Sequence, residues 1–442
     1  MTTLSTARRL TVHPLRAEAV RGFAPWAGAA VVLTLGVLLA GSSARWQGGW
    51  AETAAELHNS QLIVVPLAAA AGCWQGGRER RRRTGELLTT AVRAPLTRFL
   101  ASALPAALWV AAGQLVAAGL ALLATWPYAH GDRPHLALLP ADLVASAAAV
   151  LAGHVVGRAV PSRLAAPLLA MAGYVGLGIL AVSREGSGRH LNPAFPVGDT
   201  SVPVWWQPAA MAVWTAGPAA AAVLAYTVRR RTSALLPLAA ATAAGALLVQ
   251  TGDGLWHSDP LARRQVCDTS VTPAICVSAR YSGLLPQVTE ALSGITGKLE
   301  GVRNLPVRWE DRPGEPRADE AQLPMLTPLG WSLVRGRLTD PEQYAREAVG
   351  SLQVRGDCLE KQLDARVLRV DDAVQAYLAP SPLQKALDDA DARGDEAHRA
   401  ELRKRLAARA RLAAMSDEER RDWLSAYMAA RGSCRPSEVP AL

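Results

Sequence analysis

Seven apolar stretches, each long enough to cross a lipid bilayer as a helix, constrain this chain more than any other feature. The hydrocarbon core of a bilayer is about 30 Å thick, and about 20 apolar residues of helix span it. The stretches cover approximately residues 23–42, 60–77, 99–126, 137–157, 164–183, 206–228 and 234–252. Because unpaired backbone groups are excluded from lipid, each stretch is expected to be helical. The sequence therefore predicts an α-helical polytopic membrane protein.

The chain changes character after the last apolar stretch. Half of its 442 residues are apolar, but from residue 253 onward charged residues are frequent and no long apolar run occurs. We expect a cytoplasmic N-terminal segment at residues 1–22 and a transmembrane domain at residues 23–252, with about seven helices. A separate C-terminal domain is expected at residues 253–442.

The C-terminal region is predicted to be a small, helix-rich α+β domain. Residues 265–312 combine short strand-like pieces with a helical repeat of apolar residues, and residues 313–330 are proline-rich and polar, as is typical of a loop. Helices are predicted over residues 341–360, 370–378 and 382–413, with a break near Gly394. Ser416 and Glu419 have the spacing of a capping box, which predicts the start of a last helix.

Arginines are concentrated in alternate breaks between the apolar stretches. The basic breaks hold Arg8, Arg9, Arg16 and Arg21, then Arg78 and Arg80 to Arg83, then Arg158 and Arg163, and finally Arg229 to Arg231. Since cytoplasmic loops collect Lys and Arg, the N-terminus is expected in the cytoplasm of a multi-pass plasma-membrane protein. An odd number of spans then makes the C-terminal domain extracytoplasmic. The same rule accounts for the net charge of +9, so no nucleic-acid partner is expected.

The cysteines are distributed as this topology requires. Cys73 lies in the second stretch, where a lone thiol is most simply a small buried residue. The other four are Cys267, Cys276, Cys358 and Cys434, an even number in a region expected to face an oxidising exterior. We expect Cys267 to pair with Cys276, because they bracket the turn-like DTSVTPAI, and Cys358 with Cys434, although the other pairings remain open.

Three polar residues within the apolar stretches form a candidate intramembrane polar site. They are His154, Gln114 and Asp142. Ionisable groups inside a membrane frequently serve function, but each of these residues, like Gln61, can equally serve as a hydrogen-bonding contact between helices. One sequence does not separate these two interpretations.

No recognisable catalytic pattern occurs in the chain. HExxH, GxSxG and metal-spaced Cys and His are absent, and Lys298 after Gly297 is not followed by the Ser or Thr of a phosphate loop. The acidic run DDADARGDEAHRAE lacks the spacing of a calcium-binding loop and is interpreted as a solvated helix face. We therefore expect a chain that is not itself an enzyme, with no cofactor and no metal.

The break between the second and third apolar stretches ends in the pattern of a short amphipathic helix. Thr84 is a suitable N-cap, Glu86 lies in the first turn, and Leu87 and Leu88 begin an apolar stripe. Pro95 disfavours helix at the residue before it, so this helix ends there.

In this segment the chain resembles the ABC-2 type permeases, the membrane subunits of a class of ABC exporters. That family carries an acidic residue, a Gly-Thr pair, a Glu-Leu-Leu run and Pro-x-x-Arg in this loop. The matching positions are Glu79, Thr84, Gly85, Glu86, Leu87, Leu88, Pro95 and Arg98, with Thr preceding Gly here. The resemblance implies a coupling helix near residues 79–95 that contacts a separate ATPase subunit, and a dimer of permease subunits. It also implies six core spans, so the fold expected here is six core spans plus a seventh. The C-terminal half is similar to domains of actinobacterial permease-like proteins.

The leading hypothesis is therefore a permease subunit that moves an unidentified substrate in response to ATP hydrolysis by a partner chain. The alternative is a non-transporting membrane anchor or sensor whose extracytoplasmic domain binds a ligand or envelope partner. A membrane-bound enzyme with an external site is a third hypothesis. Activity without any ATPase partner would favour the second hypothesis. Turnover or bound metal in a purified domain of about residues 257–442 would favour the third.

Overall fold

The fold was analysed in a computed structural model, which describes residues 18–20, 22–81, 94–129, 131–183, 186–198, 200–312, 314–327, 333–353, 364–431, 433 and 435–442. The chain is mostly helical and divides into two compact units. The first is built from Met1–Trp46, Trp50–Pro127 and Arg133–Ser258. The second is built from Gln47–Gly49, Tyr128–Asp132 and Asp259–Leu442.

The first unit is a bundle of helices with one small strand pair. Its helices are α1 (Ala24–Gly41), α2 (Ser43–Trp46), α3 (Trp50–Asn59), α4 (Gln61–Gly76), α5 (Arg78–Arg81), α6 (Pro95–Thr125), α7 (Leu139–Ala159), α8 (Ala165–Val182), α9 (Gln207–Thr227) and α10 (Leu235–Thr251). Short 3₁₀ turns lie at Ser187–Leu191, Arg231–Ala234 and Gly252–Leu255. Strands β1 (Ser201–Pro203) and β2 (Trp256–Ser258) pair antiparallel.

Among the described residues, six helical segments are long and apolar enough to cross a membrane, namely those that contain α1, α6, α7, α8, α9 and α10. They indicate a membrane-embedded, multi-pass protein. The remaining stretch, expected as a span over residues 60–77, forms α4, which has 16 residues. A helix of that length is about 24 Å long, shorter than a typical hydrocarbon core. Its role as a span stays a prediction.

Helices α4 and α7 pack with their backbones in close contact. A Cβ at Gly72 would lie 2.0 Å from the Val150 carbonyl oxygen, and one at Gly153 would lie 2.0 Å from that of Ala69. One turn further on, Gly76 and Gly157 approach the opposite backbone in the same way, at 2.3 and 2.0 Å. Each helix thus presents two glycines four residues apart, the pattern by which small residues let membrane helices approach. These glycines set the distance between α4 and α7.

Helix α8 lies at the edge of the bundle. Of its residues, Ala165 and Ala166 are the buried ones. Leu164, Leu168 and Met171 are 64%, 59% and 65% exposed, in a segment apolar enough to cross a membrane. Because lipid tails are as apolar as these side chains, such exposure is expected of a helix that faces the bilayer.

The second unit combines short strands with helices. Its helices are α11 (Pro260–Arg263), α12 (Leu285–Lys298), α13 (Pro341–Leu352), α14 (Ala365–Leu378), α15 (Pro382–Ala392), α16 (Glu396–Ala414) and α17 (Asp417–Ala429). Its strands are β3 (Gln265–Asp268), β4 (Ala274–Ser278), β5 (Arg308–Glu310), β6 (Glu320–Gln322), β7 (Leu333–Val334) and β8 (Arg337–Leu338). The sheet order is β3-β4-β5-β6, with the first pair antiparallel and the other two parallel, while β7 and β8 form a separate hairpin.

The core of the second unit surrounds Trp309, which is fully buried in the middle of β5. Leu292 of α12 and Val349 of α13 pack in the same cluster, and the indole N–H of Trp309 donates to the Ala348 carbonyl oxygen at 3.3 Å. The expected capping box is confirmed, since Ser416 and Glu419 exchange hydrogen bonds at the start of α17.

Strand β6 corrects one expectation. Residues 313–330 were predicted to be loop, yet residues 320–322 of this stretch pair in parallel with β5. Three residues are too few to show the alternation of a strand, and the pairing depends on a neighbour that is distant in sequence. A local pattern therefore does not reveal this strand.

Part of the acidic run DDADARGDEAHRAE, residues 388–401, takes part in helix packing and is not simply a solvated face. The Arg409 guanidinium donates to Asp372 of α14 at 2.7 Å and also pairs with Asp388 of α15. Arg405 of α16 donates to Asp388 and Asp391 at 2.9 and 2.7 Å. Asp388 and Asp391 of the run thus join α15 to α16, and Arg409 joins both helices to α14 through Asp372.

The expected disulfide between Cys267 and Cys276 is confirmed. The two residues face each other across β3 and β4. Cys73 is buried in α4 and is a free thiol. Cys358 and Cys434 lie outside the described residues, so their expected pairing stays a prediction.

Candidate functional site

The expected coupling motif is only partly within the described residues. Thr84, Gly85, Glu86, Leu87 and Leu88 lie outside them, and Glu79 is described by its backbone alone, within α5. Pro95 opens α6, and Ala94 before it is extended with φ −55° and ψ 145°, as a residue ahead of proline should be. Arg98 lies in the first turn of α6. The role of this motif stays a prediction.

The arginines at the start of this loop bind the ends of other helices. Arg78 forms an ion pair with Glu18, which also accepts a hydrogen bond from the Gln75 amide at 2.7 Å. Arg80 donates to the carbonyl oxygens of Arg158 and Val160 at 2.6 and 2.7 Å. These carbonyls belong to the C-terminal end of α7, where a helix leaves its acceptors unpaired and favours positive charge. The base of the loop is thus anchored to the residues ahead of α1 and to α7.

A buried ion pair joins α3 to α7. The Nδ1 atom of His58 lies 2.9 Å from Oδ1 of Asp142, and its Nε2 atom lies 3.2 Å from the Phe195 carbonyl oxygen. His58 and Asp142 are 6% and 5% exposed. A carboxylate and a carbonyl only accept, so both ring nitrogens must carry a proton for both bonds to form. The geometry therefore fits a charged imidazolium paired with a carboxylate.

Further polar side chains extend this cluster. The Ser146 hydroxyl, one turn along α7 from Asp142, donates to Oε1 of Gln61 at 3.1 Å. His190, Asn192 and Gln207 are buried beside the ion pair and line the same cavity, which has a volume of about 10 Å³. That space holds at most a single water molecule. As described, the cluster is a closed polar contact and not an open substrate path.

The loop between α8 and α9 covers the cluster. The Asn192 amide donates to the Leu177 carbonyl oxygen at 3.0 Å, which fixes the loop to α8. Asn59 accepts from the Val197 backbone N–H at 3.0 Å, which fixes it to α3. Burial, followed by the neighbouring Arg189 guanidinium, lowers the pKa of His190. The Nε2 atom of His190 lies 3.2 Å from Nε of Arg189, which donates to it.

The three predicted intramembrane residues, His154, Gln114 and Asp142, do not form one site, because Asp142 and His154 lie far apart. These two residues lie twelve positions apart on α7, which is about 18 Å along a helix axis. His154 is 1% exposed, and its Nε2 atom lies 3.1 Å from the Ser102 hydroxyl of α6. Gln114 is buried in α6. Sequence reasoning found Asp142 but missed His58, which lies in a helix outside the expected spans.

The second unit contains its own buried charges. Arg280 is 3% exposed and lies 3.9 Å from a carboxylate oxygen of both Asp132 and Asp259. Asp311 is 6% exposed, and burial raises the pKa of its carboxyl to about 7, although hydrogen bonds from the backbone N–H groups of Ser278 and Leu326 oppose this shift. Arg280, Asp259 and Asp311 are all buried within the second unit.

Two glutamates, Glu310 and Glu320, lie on the neighbouring strands β5 and β6. Burial, followed by the nearby Glu320, raises the pKa of Glu310. Burial alone would raise the pKa of Glu320 as well, but hydrogen bonds from Arg308 and from the Arg317 backbone N–H lower it to about 2. Arg308 donates to Glu320 at 2.6 Å and Arg312 lies 3.5 Å from Glu310. An arginine therefore neutralises each carboxylate, as in a structural ion-pair network.

No protein-family model, no curated protein and no solved structure matches this chain.

Proposed function

We propose that this chain is the permease subunit of an ABC-2-like transporter, which moves a substrate when a separate subunit hydrolyses ATP. The proposal rests on the family resemblance of residues 79–98 and on six apolar helices suited to a membrane. The substrate is unidentified. A dimeric assembly of permease subunits is part of the same proposal.

The observation that carries the proposal is the anchoring of the basic loop. Arg78 ties the start of the loop to Glu18, and Arg80 ties it to the last carbonyls of α7. A loop that receives force from a partner must be joined rigidly to the helices that move. Bonds to two separate parts of the bundle supply such a connection. A loop whose arginines served only to orient the chain in the membrane would need exposed positive charge and no such bonds.

The composition of the second unit supports the expected topology. Gln47–Gly49 and Tyr128–Asp132 belong to this unit together with Asp259–Leu442. Within it, Arg335 donates to the Gln47 side chain at 2.9 Å, and Arg280 lies 3.9 Å from Asp132. Because one compact unit lies on one side of a bilayer, the breaks after the first and third spans share a side with the C-terminal half. The alternation of basic breaks along the sequence also assigns these breaks and the C-terminal half to one side of the membrane.

The test is purification of the full-length chain in mild detergent from cells that also express the genes adjacent to its own gene. The expected result is a stoichiometric ATPase subunit with a phosphate-loop motif, and ATP hydrolysis by the complex. Glu86→Arg and Leu88→Arg should each remove the ATPase subunit, because both changes place charge in the expected contact.

The matched control is Arg230→Glu, which reverses a charge at another exposed basic break. It should retain the ATPase subunit. Retention of the partner by both loop variants, or a transporter-like activity in membranes that contain no ATPase subunit, would contradict the proposal.

The sensor alternative is favoured by one observation in the second unit. A cleft of about 620 Å³ lies between α12 and α13 and reaches the end of α14. Charged side chains of both signs line it, including Glu290, Lys298, Glu342 and Arg346. A cleft of this size suits a small ligand. Specific ligand binding with no ATPase partner would favour this alternative over the transporter.

A further inference from the structure

A second cavity lies at the basic end of the first unit. It has a volume of about 280 Å³ and is bordered by the end of α4, by α5, and by the connection from α7 to α8. Three arginines line it, namely Arg80, Arg81 and Arg163. No acidic side chain lines it within the part of the chain that the structure describes. The cavity is therefore suited to an anion.

Two of the three guanidinium groups are held in place by the protein. Arg80 donates to the carbonyl oxygens of Arg158 and Val160, and Arg81 donates to that of Trp74. Arg81 also stacks over the Trp74 ring at 4.1 Å from the ring centre. These bonds orient both groups. A guanidinium has five N–H donors, so Arg80 has donors beyond the two that bind these carbonyls.

The start of α8 adds to the positive potential. The Ser162 hydroxyl accepts from the Leu164 backbone N–H at 3.1 Å, and Ala166, in the first turn of α8, lines the cavity. The N-terminal end of a helix carries partial positive charge and attracts phosphate groups. Arg163 directly precedes this end and is exposed, with no ion-pair partner among the described residues. The cavity thus combines three guanidinium groups with a helix N-terminus.

The surroundings favour a lipid over a free anion. Leu164, Leu168 and Met171 form an exposed apolar stripe that begins at the residue after Arg163. Trp74 borders the cavity and is 45% exposed, as is common for tryptophan at the level of lipid headgroups. Basic pockets between membrane helices bind anionic headgroups. We propose that this cavity binds the phosphate of an anionic phospholipid whose acyl chains lie along α8.

The test uses the full-length protein in detergent and measures lipid adducts by native mass spectrometry. The probes are phosphatidylglycerol, phosphatidylcholine and inorganic phosphate. Phosphatidylglycerol should bind at least tenfold more tightly than phosphatidylcholine, because the choline cation meets three arginines. Arg163→Gln should weaken phosphatidylglycerol binding by at least threefold, and the double variant with Arg80→Gln by at least tenfold.

Arg163→Gln carries the test because this exposed side chain has no described partner whose loss would disturb folding. Arg230→Gln is the matched control at a separate basic break, and it should bind phosphatidylglycerol as the unaltered protein does. Equal binding of the two lipids, or equal weakening by Arg230→Gln, would overturn the proposal in favour of diffuse attraction. Inorganic phosphate that displaces the lipid at equal concentration would overturn the lipid assignment. None of these outcomes depends on an ATPase partner.

Discussion

The His58 and Asp142 pair is the residue-scale feature with the largest expected energetic effect. Both groups are buried, and each hydrogen bond of the imidazole meets an acceptor. Removing one partner of such a pair leaves an uncompensated charge out of water, which costs about 3–5 kcal/mol in folded proteins.

We predict that Asp142→Asn strongly lowers the thermal stability of the full-length protein in detergent. The cost should be about 3 kcal/mol or more, because the imidazolium of His58 loses its counter-charge. The double variant with His58→Gln should recover part of the loss, since two amides bond without charge. If Asp142→Asn melts at the same temperature as the unaltered protein, the pair is not an ion pair.

The buried carboxyl of Asp311 should make the stability of the second unit depend on pH. Its folded pKa of about 7 lies above its ordinary value of 3.8, so the folded protein binds the proton more tightly than the unfolded chain. Its contribution to stability is fully present below the ordinary value and is lost as the pH rises through about 7. The total loss is on the order of 4 kcal/mol.

Asp311→Asn should therefore stabilise the second unit more at pH 8 than at pH 4. Hydrogen exchange of the β5 amides in the full-length protein, compared with the unaltered chain at each pH, measures this difference. The control is Asp319→Asn, on an exposed carboxyl near the same strands. A stability difference that is constant from pH 4 to pH 8 would show that Asp311 keeps an ordinary pKa.

At the scale of elements, hydropathy predicts helices better than it predicts their contacts. Seven apolar stretches became helices, and six of them have full spanning length. The pairing of α4 with α7 was not predicted, because glycines four residues apart are common in apolar stretches and do not identify their partner. His58 was missed for a related reason, since its partner Asp142 is distant in sequence.

The glycine contacts predict which substitutions the bundle tolerates. Gly153→Val should destabilise the protein by about 1–3 kcal/mol or more, because a Cβ there would lie 2.0 Å from the Ala69 carbonyl oxygen. Gly176→Val in α8 is the matched control, since a Cβ there meets no atom within 4 Å. Thermal unfolding in detergent measures both. Similar melting temperatures for the two variants would mean that α4 and α7 pack less closely than described.

At the scale of the whole molecule, the topology remains the main prediction to test. From the alternation of basic breaks we expect residues 78–83 and 229–231 on the cytoplasmic side of the membrane and the second unit on the opposite side. Sequence reasoning reached this arrangement from charge alone, and it could not supply the contacts of Gln47 and Asp132 within the second unit. Those contacts join residues that are far apart along the chain.

Labelling of single cysteines in intact cells measures this topology. With Cys73, Cys358 and Cys434 replaced by Ser and Cys267 and Cys276 left in their disulfide, Ser293→Cys in α12 should react with a membrane-impermeant maleimide. Arg230→Cys should react only after the membrane is opened. Both positions are exposed. The opposite labelling pattern would invert the topology and place the Cys267 and Cys276 disulfide in a reducing compartment.

The short length of α4 has an electrical consequence. As a span, its 16 residues would form a hydrophobic barrier about 24 Å thick. The same membrane voltage would then fall over a shorter distance there than along longer helices, so the local field would be stronger. Charged groups lie at both ends of this barrier, with the His58 and Asp142 pair near one end and Arg78 at the other. The thinnest insulating path through the bundle would thus lie between two ion pairs, His58 with Asp142 and Arg78 with Glu18.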